Sequence, residues 1–382
     1  MFLETKNIKE CYGCLACQNI CPVNAIKCGA QGDTYCYPVI NTDTCIDCGL
    51  CKKVCPYENH KSYKVKQCYV GEVKDREVWK KSSSGGAFFS LVLSIVQMQK
   101  YSYNHFYVCG CVFEDFISHH KVIEFTNSDS IRPFMKSKYV LSDCSNIYIQ
   151  IRDLIKIKTN FVIFSGTPCQ VAGLKNFLLV EDCSNLFCID LLCKGGLSQF
   201  VFTKYQAELE EEYGSCLFNY EFRNKEVLEN GTIYSRSAKY VLKNGITKKV
   251  THLNDPLLKL FYEDHSHFRE ACLNCDFSCM NRVGDVSIGD AWNVNHIYSE
   301  LNPIKGVSVI LFNSEKGLQV LSALDKYMQL FDYPISQLKQ DNSAVNKRKV
   351  SIDRDRRNCF FNNIYNSNLL FSEAVNLYFD GK

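Results

Sequence analysis

The stretch FVIFSGTPCQVAGLKNF, Phe161–Phe177, joins an apolar run to a helical pattern through a short turn. Phe161–Ser165 has the length and the aromatic and β-branched content of a buried strand, and the residues from Pro168 onward favour a helix. This order is typical of α/β domains, in which functional sites form at the carboxyl ends of strands. Cys169 stands at such a strand end, so the other cysteines bear directly on its role.

Cysteine is abundant in this chain of 382 residues, with 23 copies, whereas the net charge is only +3. Because the net charge is so small, the chain has no strong electrostatic field that would indicate nucleic acid or an anionic membrane as a partner. The N-terminus shows no secretion signal, and the longest apolar run, within 85–101, is too short to cross a bilayer. We therefore expect a cytoplasmic protein without a membrane span, whose cysteines serve metal or redox chemistry.

Two N-terminal runs share one cysteine spacing, CYGCLACQNICP at 11–22 and CIDCGLCKKVCP at 45–56. Both are C-x2-C-x2-C-x3-C-P, the run of bacterial ferredoxins, in which the fourth cysteine of each run serves the other 4Fe-4S cluster. The first cluster is thus assigned to Cys11, Cys14, Cys17 and Cys55, and the second to Cys21, Cys45, Cys48 and Cys51. The alternative is a pair of zinc sites, which rarely use this interleaved pattern. Cys28 and Cys36 lie outside the pattern and are interpreted as ordinary buried thiols.

Cysteines also follow strand-like runs in the larger part of the chain. Cys169 follows FVIFSGTP, Cys193 follows LFCIDLL, and Cys272 and Cys275 form a C-x2-C loop ahead of DVSIGDAW. Four thiolates from three loops can bind a third cluster. Spacing alone leaves open the alternative that these are four unconnected free cysteines.

The alternation of strand-like and helical runs predicts the fold class. We expect an α+β ferredoxin-like N-terminal module, a polar linker at NHKSYKVKQ, 59–67, and an α/β domain with a mixed sheet, which the family resemblance described next implies to be a flavin and iron–sulfur domain. Residues 315–331, EKGLQVLSALDKYMQLF, are predicted to be helical.

Five ordered motifs resemble those of a known family: SSSGGAFFSL, KSKYVLS, FSGTPCQVAGLKNFL, CIDLLCKGGLS and ACLNCDFSCMNRVGDVSIGDAW. They are similar to the beta subunits of coenzyme F420-reducing hydrogenase and formate dehydrogenase, a family that includes 7-hydroxymethyl chlorophyll a reductases. The resemblance extends from about Gln67 to about Leu330. It implies FAD beside one 4Fe-4S cluster held by Cys169, Cys193, Cys272 and Cys275. Lys194 stands where the family has histidine. Cys279 is the alternative ligand if one cysteine of the Cys272–Cys275 loop does not bind iron.

The resemblance also divides the chain and indicates a flavin site. The expected units are a two-cluster ferredoxin domain at 1–60, an N-terminal beta-subunit-like part at 67–146, a flavin and third-cluster region at 147–335, and a helical extension at 336–382. Small residues at the helix start SSGGA suit a pyrophosphate, although a plain helix N-cap is the alternative. The residues predicted to hold FAD are Ser83, Ser84, Gly85, Gly86, Lys138, Tyr139, Gly166, Thr167, Gln170, Asp285, Gly289 and Asp290.

These features together predict a flavin-dependent iron–sulfur oxidoreductase. Electrons would pass between the ferredoxin clusters, the third cluster and FAD, with hydride exchange to a deazaflavin or another organic substrate. The electron partner is a redox protein or a small donor or acceptor, no nucleic acid is expected, and oligomer formation is left open. The alternative is an electron-carrier or accessory subunit that feeds a separate catalytic protein. No catalytic residue is assigned from the sequence.

Overall fold

The computed structural model describes residues 2–31, 34–179, 182–226, 236–366 and 368–380. The α-helices are α1 Phe2–Thr5, α2 Ala16–Ile20, α3 Leu50–Lys53, α4 Arg76–Lys81, α5 Ala87–Gln99, α6 Ile147–Lys156, α7 Pro168–Leu178, α8 Gln199–Tyr213, α9 Pro256–Glu263, α10 Glu270–Leu273, α11 Glu315–Gln319, α12 Leu321–Leu324, α13 Ile335–Asp341, α14 Arg354–Asn366 and α15 Phe371–Asp380. The strands are β1 Ile26–Gln31, β2 Tyr35–Ile40, β3 Tyr63–Lys64, β4 Gln67–Val73, β5 His105–Glu114, β6 Ile117–Glu124, β7 Asn160–Gly166, β8 Leu186–Leu191, β9 Leu217–Glu221, β10 Ser237–Leu242, β11 Thr247–Thr251, β12 Asn281–Arg282, β13 Val286–Asp290, β14 Ser308–Phe312 and β15 Met328–Asp332.

A large mixed sheet of eight strands, in the order β15-β4-β14-β13-β8-β7-β5-β6, organises the chain. Its centre is parallel, from β5 through β7 and β8 to β13, and its flanks are antiparallel. The mixed α/β sheet that the sequence predicts is therefore confirmed. Strands from the predicted units 67–146 and 147–335 lie side by side in this one sheet.

Helices cover both faces of the parallel centre, which explains why β7 is buried along its whole length. On one face Ile163 packs in a cluster with Leu91 of α5. On the other face Val162 packs with Leu174 of α7 and Ile151 of α6. The core therefore fixes α7, and with it Cys169, at the end of a rigid central strand.

The N-terminal segment is attached to the rest of the chain at two places. Its helix α2 packs against α3, α6 and α7. The hairpin of β1 and β2 buries Tyr35 and Tyr37 in the cluster that α8, β9, β10, α14 and α15 form. A second small sheet pairs β3 with β12, so part of the predicted linker is a strand. The segment is consequently packed onto the larger part.

One predicted element is wrong in its second half. Residues 315–331 form α11 and α12, but Met328 begins strand β15, which pairs antiparallel with β4. Strand β15 adds to the sheet at the outer edge of β4, so sheet pairing overrides the helical pattern there. Within the described ranges, no helix combines the length and apolar character needed to span a bilayer.

Candidate iron–sulfur centre

Two central strands deliver Cys169 and Cys193 to the same edge of the sheet. Strands β7 and β8 are parallel, with Gly166 opposite Asp190 in their register. Each strand ends shortly before its cysteine: β7 ends at Gly166 and β8 ends at Leu191. The carboxyl ends of neighbouring parallel strands therefore bring the two cysteines together, as the sequence predicts.

A buried ion pair ties the Cys272–Cys275 loop to this edge. Arg282 Nη2 donates to Asp190 Oδ1 at 2.6 Å, and the two side chains are 1% and 0% exposed. The second carboxylate oxygen of Asp190 accepts from the backbone N–H of Gly284 at 2.6 Å and of Val283 at 3.1 Å. Arg282 Nη1 also donates to the carbonyl of Phe277 at 3.2 Å. The loop after Cys275 is thus held against the end of β8.

The cysteines of the predicted third cluster line one cavity of about 320 Å³: Cys169, Cys193, Cys272 and Cys275. Hydrogen bonds already reach two of their sulfurs, from Gly195 N to Cys193 Sγ at 3.3 Å and between Thr167 Oγ1 and Cys169 Sγ at 3.2 Å. Hydrogen bonds to thiolate sulfur are a normal feature of iron–sulfur ligation. Cys279 does not line this cavity, and its Sγ lies 3.3 Å from the Asn281 carbonyl oxygen.

The thiols of this cavity influence each other's ionisation. The pKa of Cys169 is raised to about 11, mainly by burial, while the Thr167 hydroxyl acts to lower it and the neighbouring Cys193 thiol acts to raise it. Burial, followed by the Cys169 and Cys193 thiols, raises the pKa of Cys275 to about 12. Thiols with such pKa values are protonated at neutral pH, so binding of iron must release their protons.

Two arginines beside this cavity were missed by the sequence reasoning. Arg269 is 3% exposed, and its Nε and Nη1 have no hydrogen-bond partner among the described residues. Nη1 and Nη2 of Arg348 are likewise unpartnered in this part of the chain. Both side chains line the cavity. Buried guanidinium groups require a negative partner, which four thiolates around an iron–sulfur cluster would supply.

The predicted first cluster also corresponds to a cavity. A smaller cavity of about 30 Å³ is lined by Cys11, Cys14, Cys17 and Cys55, the set assigned from the interleaved spacing, and also by Cys51 of the second set. Both positive-φ positions of its loop, Gly13 at 71° and Leu15 at 60°, turn the backbone tightly around the thiols. A peptide chain that curls around several thiols fits a cluster site better than isolated cysteines.

The residues of the predicted second cluster lie nearer the surface. Cys48 is exposed. Burial raises the pKa of Cys51, the backbone N–H groups oppose this rise, and the Cys48 and Cys45 thiols add to it. Cys21 directly follows α2, which packs against the helix that carries Cys51. Across the described residues, no three His, Cys, Asp or Glu side chains are arranged to hold a single metal ion.

Many of the residues predicted to hold FAD lie near one another: Ser83 contacts Ser137 beside Lys138, and Gly85 lies against Ser308, which pairs with Asp290. Thr167 and Gln170 line the large cavity, but they cap α7 through a bond from Thr167 N to Gln170 Oε1 at 2.9 Å. Lys138 Nζ donates to the carbonyls of Pro133 and Met135 at 2.9 and 2.7 Å. Asp285 accepts from Cys188 N at 2.9 Å and from the Ser314 hydroxyl at 2.7 Å. These polar groups are engaged with the protein itself.

The remaining flavin candidates pack against backbone or other side chains. A Cβ on Gly85 would lie 2.3 Å from Gly71 O, and one on Gly289 would lie 2.8 Å from the Leu192 Cβ. The other members are likewise in protein contacts: Ser83 with Ser137, Ser84 with Val307, Gly86 with Val73, Gly166 with Phe164, Tyr139 with Phe261, and Asp290 with Arg223. These residues are therefore engaged in protein contacts, and their binding of FAD stays a prediction.

Cys28 and Cys36 differ from the prediction of buried thiols. Cys28 is exposed, Cys36 is partly buried, and the two form a disulfide across the hairpin of β1 and β2. Their Cα atoms are 5.5 Å apart, within the usual range for a disulfide. The prediction was wrong because the hairpin register, which decides what faces Cys28, is not visible in cysteine spacing.

Comparison with known families gives two matches in separate parts of the chain. Residues 160–333 match the family model for the C terminus of the beta subunit of coenzyme F420 hydrogenase/dehydrogenase. This part of the chain belongs to that family. Residues 37–60 match a 4Fe-4S binding domain, and this match contains Cys45, Cys48, Cys51 and Cys55. The four cysteines predicted to bind the third cluster all lie within 160–333: Cys169, Cys193, Cys272 and Cys275.

The structural comparison finds the F420-reducing [NiFe] hydrogenase complex from Methanosarcina barkeri, in a xenon-derivatised form. The likeness has 15% sequence identity and a TM-score of 0.45, and it covers 84% of this chain and 91% of the other. No curated protein gives a significant match.

Proposed function

We propose that the chain is an iron–sulfur oxidoreductase subunit that conducts electrons between an N-terminal pair of 4Fe-4S clusters and a third cluster at the sheet edge. The ligand sets are those assigned above, with the third cluster held by Cys169, Cys193, Cys272 and Cys275. When bound, such clusters supply one-electron exchange. The chain's own residues hold the thiolates, exclude water and compensate negative charge.

The single observation that carries this proposal is the direct contact between the first cysteine loop and the helix of Cys169. A Cβ on Gly173, one turn along α7 from Cys169, would lie 3.0 Å from Cys14 Sγ. Tyr148 Oη donates to the carbonyls of Cys14 at 2.9 Å and of Gln170 at 3.0 Å. Two thiol sites that share a helix and a bridging tyrosine are close enough for electrons to pass between them.

Arg269 connects the same two sites electrostatically. Its guanidinium lies 2.6 Å from the position of a Cβ on Gly13, whose positive φ of 71° also favours glycine. Burial acts to lower the pKa of Arg269, but the Cys11, Tyr37 and Cys272 groups outweigh it and the pKa is raised. One buried cation thus faces a thiol of the first set and a thiol of the third.

FAD and hydride exchange with a deazaflavin or another organic substrate stay predictions from the family resemblance. FAD therefore enters no step of the proposal. The second candidate function is an electron-carrier subunit that feeds a separate catalytic protein. Bound flavin in the purified protein would support the first candidate, and flavin-free protein that still reduces a partner would support the second.

Anaerobic reconstitution of the wild type and of Cys169→Ser tests the proposal. The wild type should hold about 12 irons, and Cys169→Ser about 8, because each cube contains four. The ferredoxin-type electron paramagnetic resonance signals should persist in the variant. Cys216→Ser, at an exposed cysteine remote from the cavity, serves as the control and should keep all iron. A Cys169→Ser protein with undiminished iron would overturn the third-cluster assignment.

A further inference from the structure

The Cys28–Cys36 disulfide lies beside the proposed third cluster. Both cysteines line the 320 Å³ cavity that Cys169, Cys193, Cys272 and Cys275 also line. Cys28 is exposed at the outer side, whereas Cys36 is partly buried. Because the pair contacts both the cavity and the solvent, it can receive electrons from the cavity side and protons from the solvent.

Several contacts fix the hairpin of this disulfide on the cavity. Tyr35 Oη donates to Gly196 O at 2.8 Å, and the hydroxyls of Thr34 and Ser198 are 2.6 Å apart. Gly196 and Ser198 belong to the loop that follows Cys193. The hairpin and the third thiol set are therefore parts of one assembly.

Arg269 makes a further link between the disulfide and the third thiol set. Its Nη2 donates to the Cys36 carbonyl at 2.9 Å. The same guanidinium lines the cavity together with Cys272, and its Nε and Nη1 have no hydrogen-bond partner among the residues that the structure describes. A buried cation at this position favours the addition of negative charge, which is what an arriving electron brings.

A purely structural role explains this disulfide poorly. Cys28 and Cys36 are only 8 residues apart, and a cross-link that closes so short a loop constrains the unfolded chain least. The antiparallel pairing from Ile26 to Gln31 already holds the hairpin closed. In addition, a chain whose many other thiols must stay reduced to bind iron works under conditions in which disulfides are usually transient and redox-active.

We propose that Cys28 and Cys36 form a redox-active pair that accepts two electrons from the iron–sulfur chain. The inference rests on the proposed third cluster. In the step, the S–S bond breaks and two S–H bonds form, with two electrons and two protons consumed. The electrons come one at a time from a low-potential one-electron donor through the clusters, and the protons come from solvent at Cys28. The pair thereby converts one-electron transport into a two-electron reservoir.

Reductive titration of the cluster-loaded protein with reduced methyl viologen tests this step. The wild type should take up two electrons more per chain than a Cys28→Ser/Cys36→Ser variant with the same iron content. Alkylation with iodoacetamide and peptide mass spectrometry should find both cysteines bonded before reduction and labelled after it. In Cys169→Ser, the pair should stay bonded while the ferredoxin clusters are reduced.

The outcomes separate this inference from the proposed function. A wild type with about 12 irons whose pair stays bonded after full cluster reduction would overturn the inference alone, as would free thiols at both positions in the oxidised protein. Labelling of the pair in reduced Cys169→Ser would show that the third cluster is not the donor and would also overturn it. A wild type with about 8 irons would instead remove the third cluster on which the inference rests.

Discussion

Cys14 Sγ lies 3.0 Å from the point where a Cβ on Gly173 would stand. The contact joins residues that are far apart in sequence, one in the first cysteine loop and one on the helix that begins beside Cys169. The same point is 3.3 Å from Tyr148 Oη, so the space is closed on a second side. The close contact, rather than backbone conformation, is what favours glycine here, because Gly173 lies within the regular helix α7.

Enlarging Gly173 should separate the first cysteine loop from α7. In Gly173→Ala, the gain in helix propensity of about 1 kcal/mol partly offsets the clash, so we expect only a small change in stability. In Gly173→Val, the added methyl groups meet Cys14 and Tyr148, and we expect loss of iron from the first cluster and a lower urea midpoint. Iron analysis and anaerobic urea unfolding of the two variants check this. Equal iron and equal midpoints in Gly173→Val and the wild type would contradict it.

Breaking the buried pair of Asp190 and Arg282 should destabilise the third-cluster edge. Asp190→Asn leaves Arg282 buried without its charge partner, a change that typically costs about 3–5 kcal/mol. Since the pair also holds the loop after Cys275, iron at the third site should fall together with stability. Asp182→Asn is the matched control, because Asp182 pairs with Lys158 at an exposed site and should change neither quantity measurably. Urea unfolding and iron content provide the two readouts.

Some of this arrangement is predictable from sequence because it depends on local order. The strand–turn–helix pattern around Cys169 and the strand before Cys193 place both thiols at strand ends. Parallel pairing of those strands, which the alternation of elements favours, then brings the thiols to one edge. The C-x2-C spacing of Cys272 and Cys275 similarly indicates a loop that supplies two ligands together.

Other parts depend on contacts between distant segments, which local patterns do not contain. Arg269 gives no motif of its own, and its position between two thiol sets follows from the docking of the Gly13 loop. Lys138 resembles a cofactor-binding lysine in its motif, yet the nearby carbonyls of Pro133 and Met135 occupy its ammonium group. Pairing of Cys28 with Cys36 is set by the hairpin register, which spacing alone does not reveal.

His120 should make stability depend on pH. Its Nε2 lies 3.0 Å from the Ser165 carbonyl oxygen, which can only accept, so this nitrogen carries the proton of the neutral ring. Burial lowers the pKa of His120 from 6.5 to about 4. Between these values the unfolded chain binds the proton and the folded chain does not, so stability falls as pH drops from 6.5 toward 4.

The size and control of this pH effect follow from the same shift. Between pH 8 and pH 5 the contribution of His120 should be about 2 kcal/mol. We expect His120→Gln to have a flatter dependence of the urea midpoint on pH than the wild type over that range. His105→Gln, at an exposed histidine on β5, should leave the slope unchanged. Parallel slopes for His120→Gln and the wild type would show that this ring does not titrate on unfolding.

Cys275 and Cys279 lie close together in sequence, and replacing each in turn tests which of the two thiols binds iron. Cys275 lines the large cavity with Cys169, whereas Cys279 faces the Asn281 carbonyl. Cys275→Ser should therefore lose about four irons per chain, because a cube that lacks one protein ligand is not retained firmly. Cys279→Ser should keep them, and both variants should retain the N-terminal clusters. Iron and sulfide analysis after anaerobic reconstitution decides the matter, and iron loss in Cys279→Ser with none in Cys275→Ser would exchange their roles.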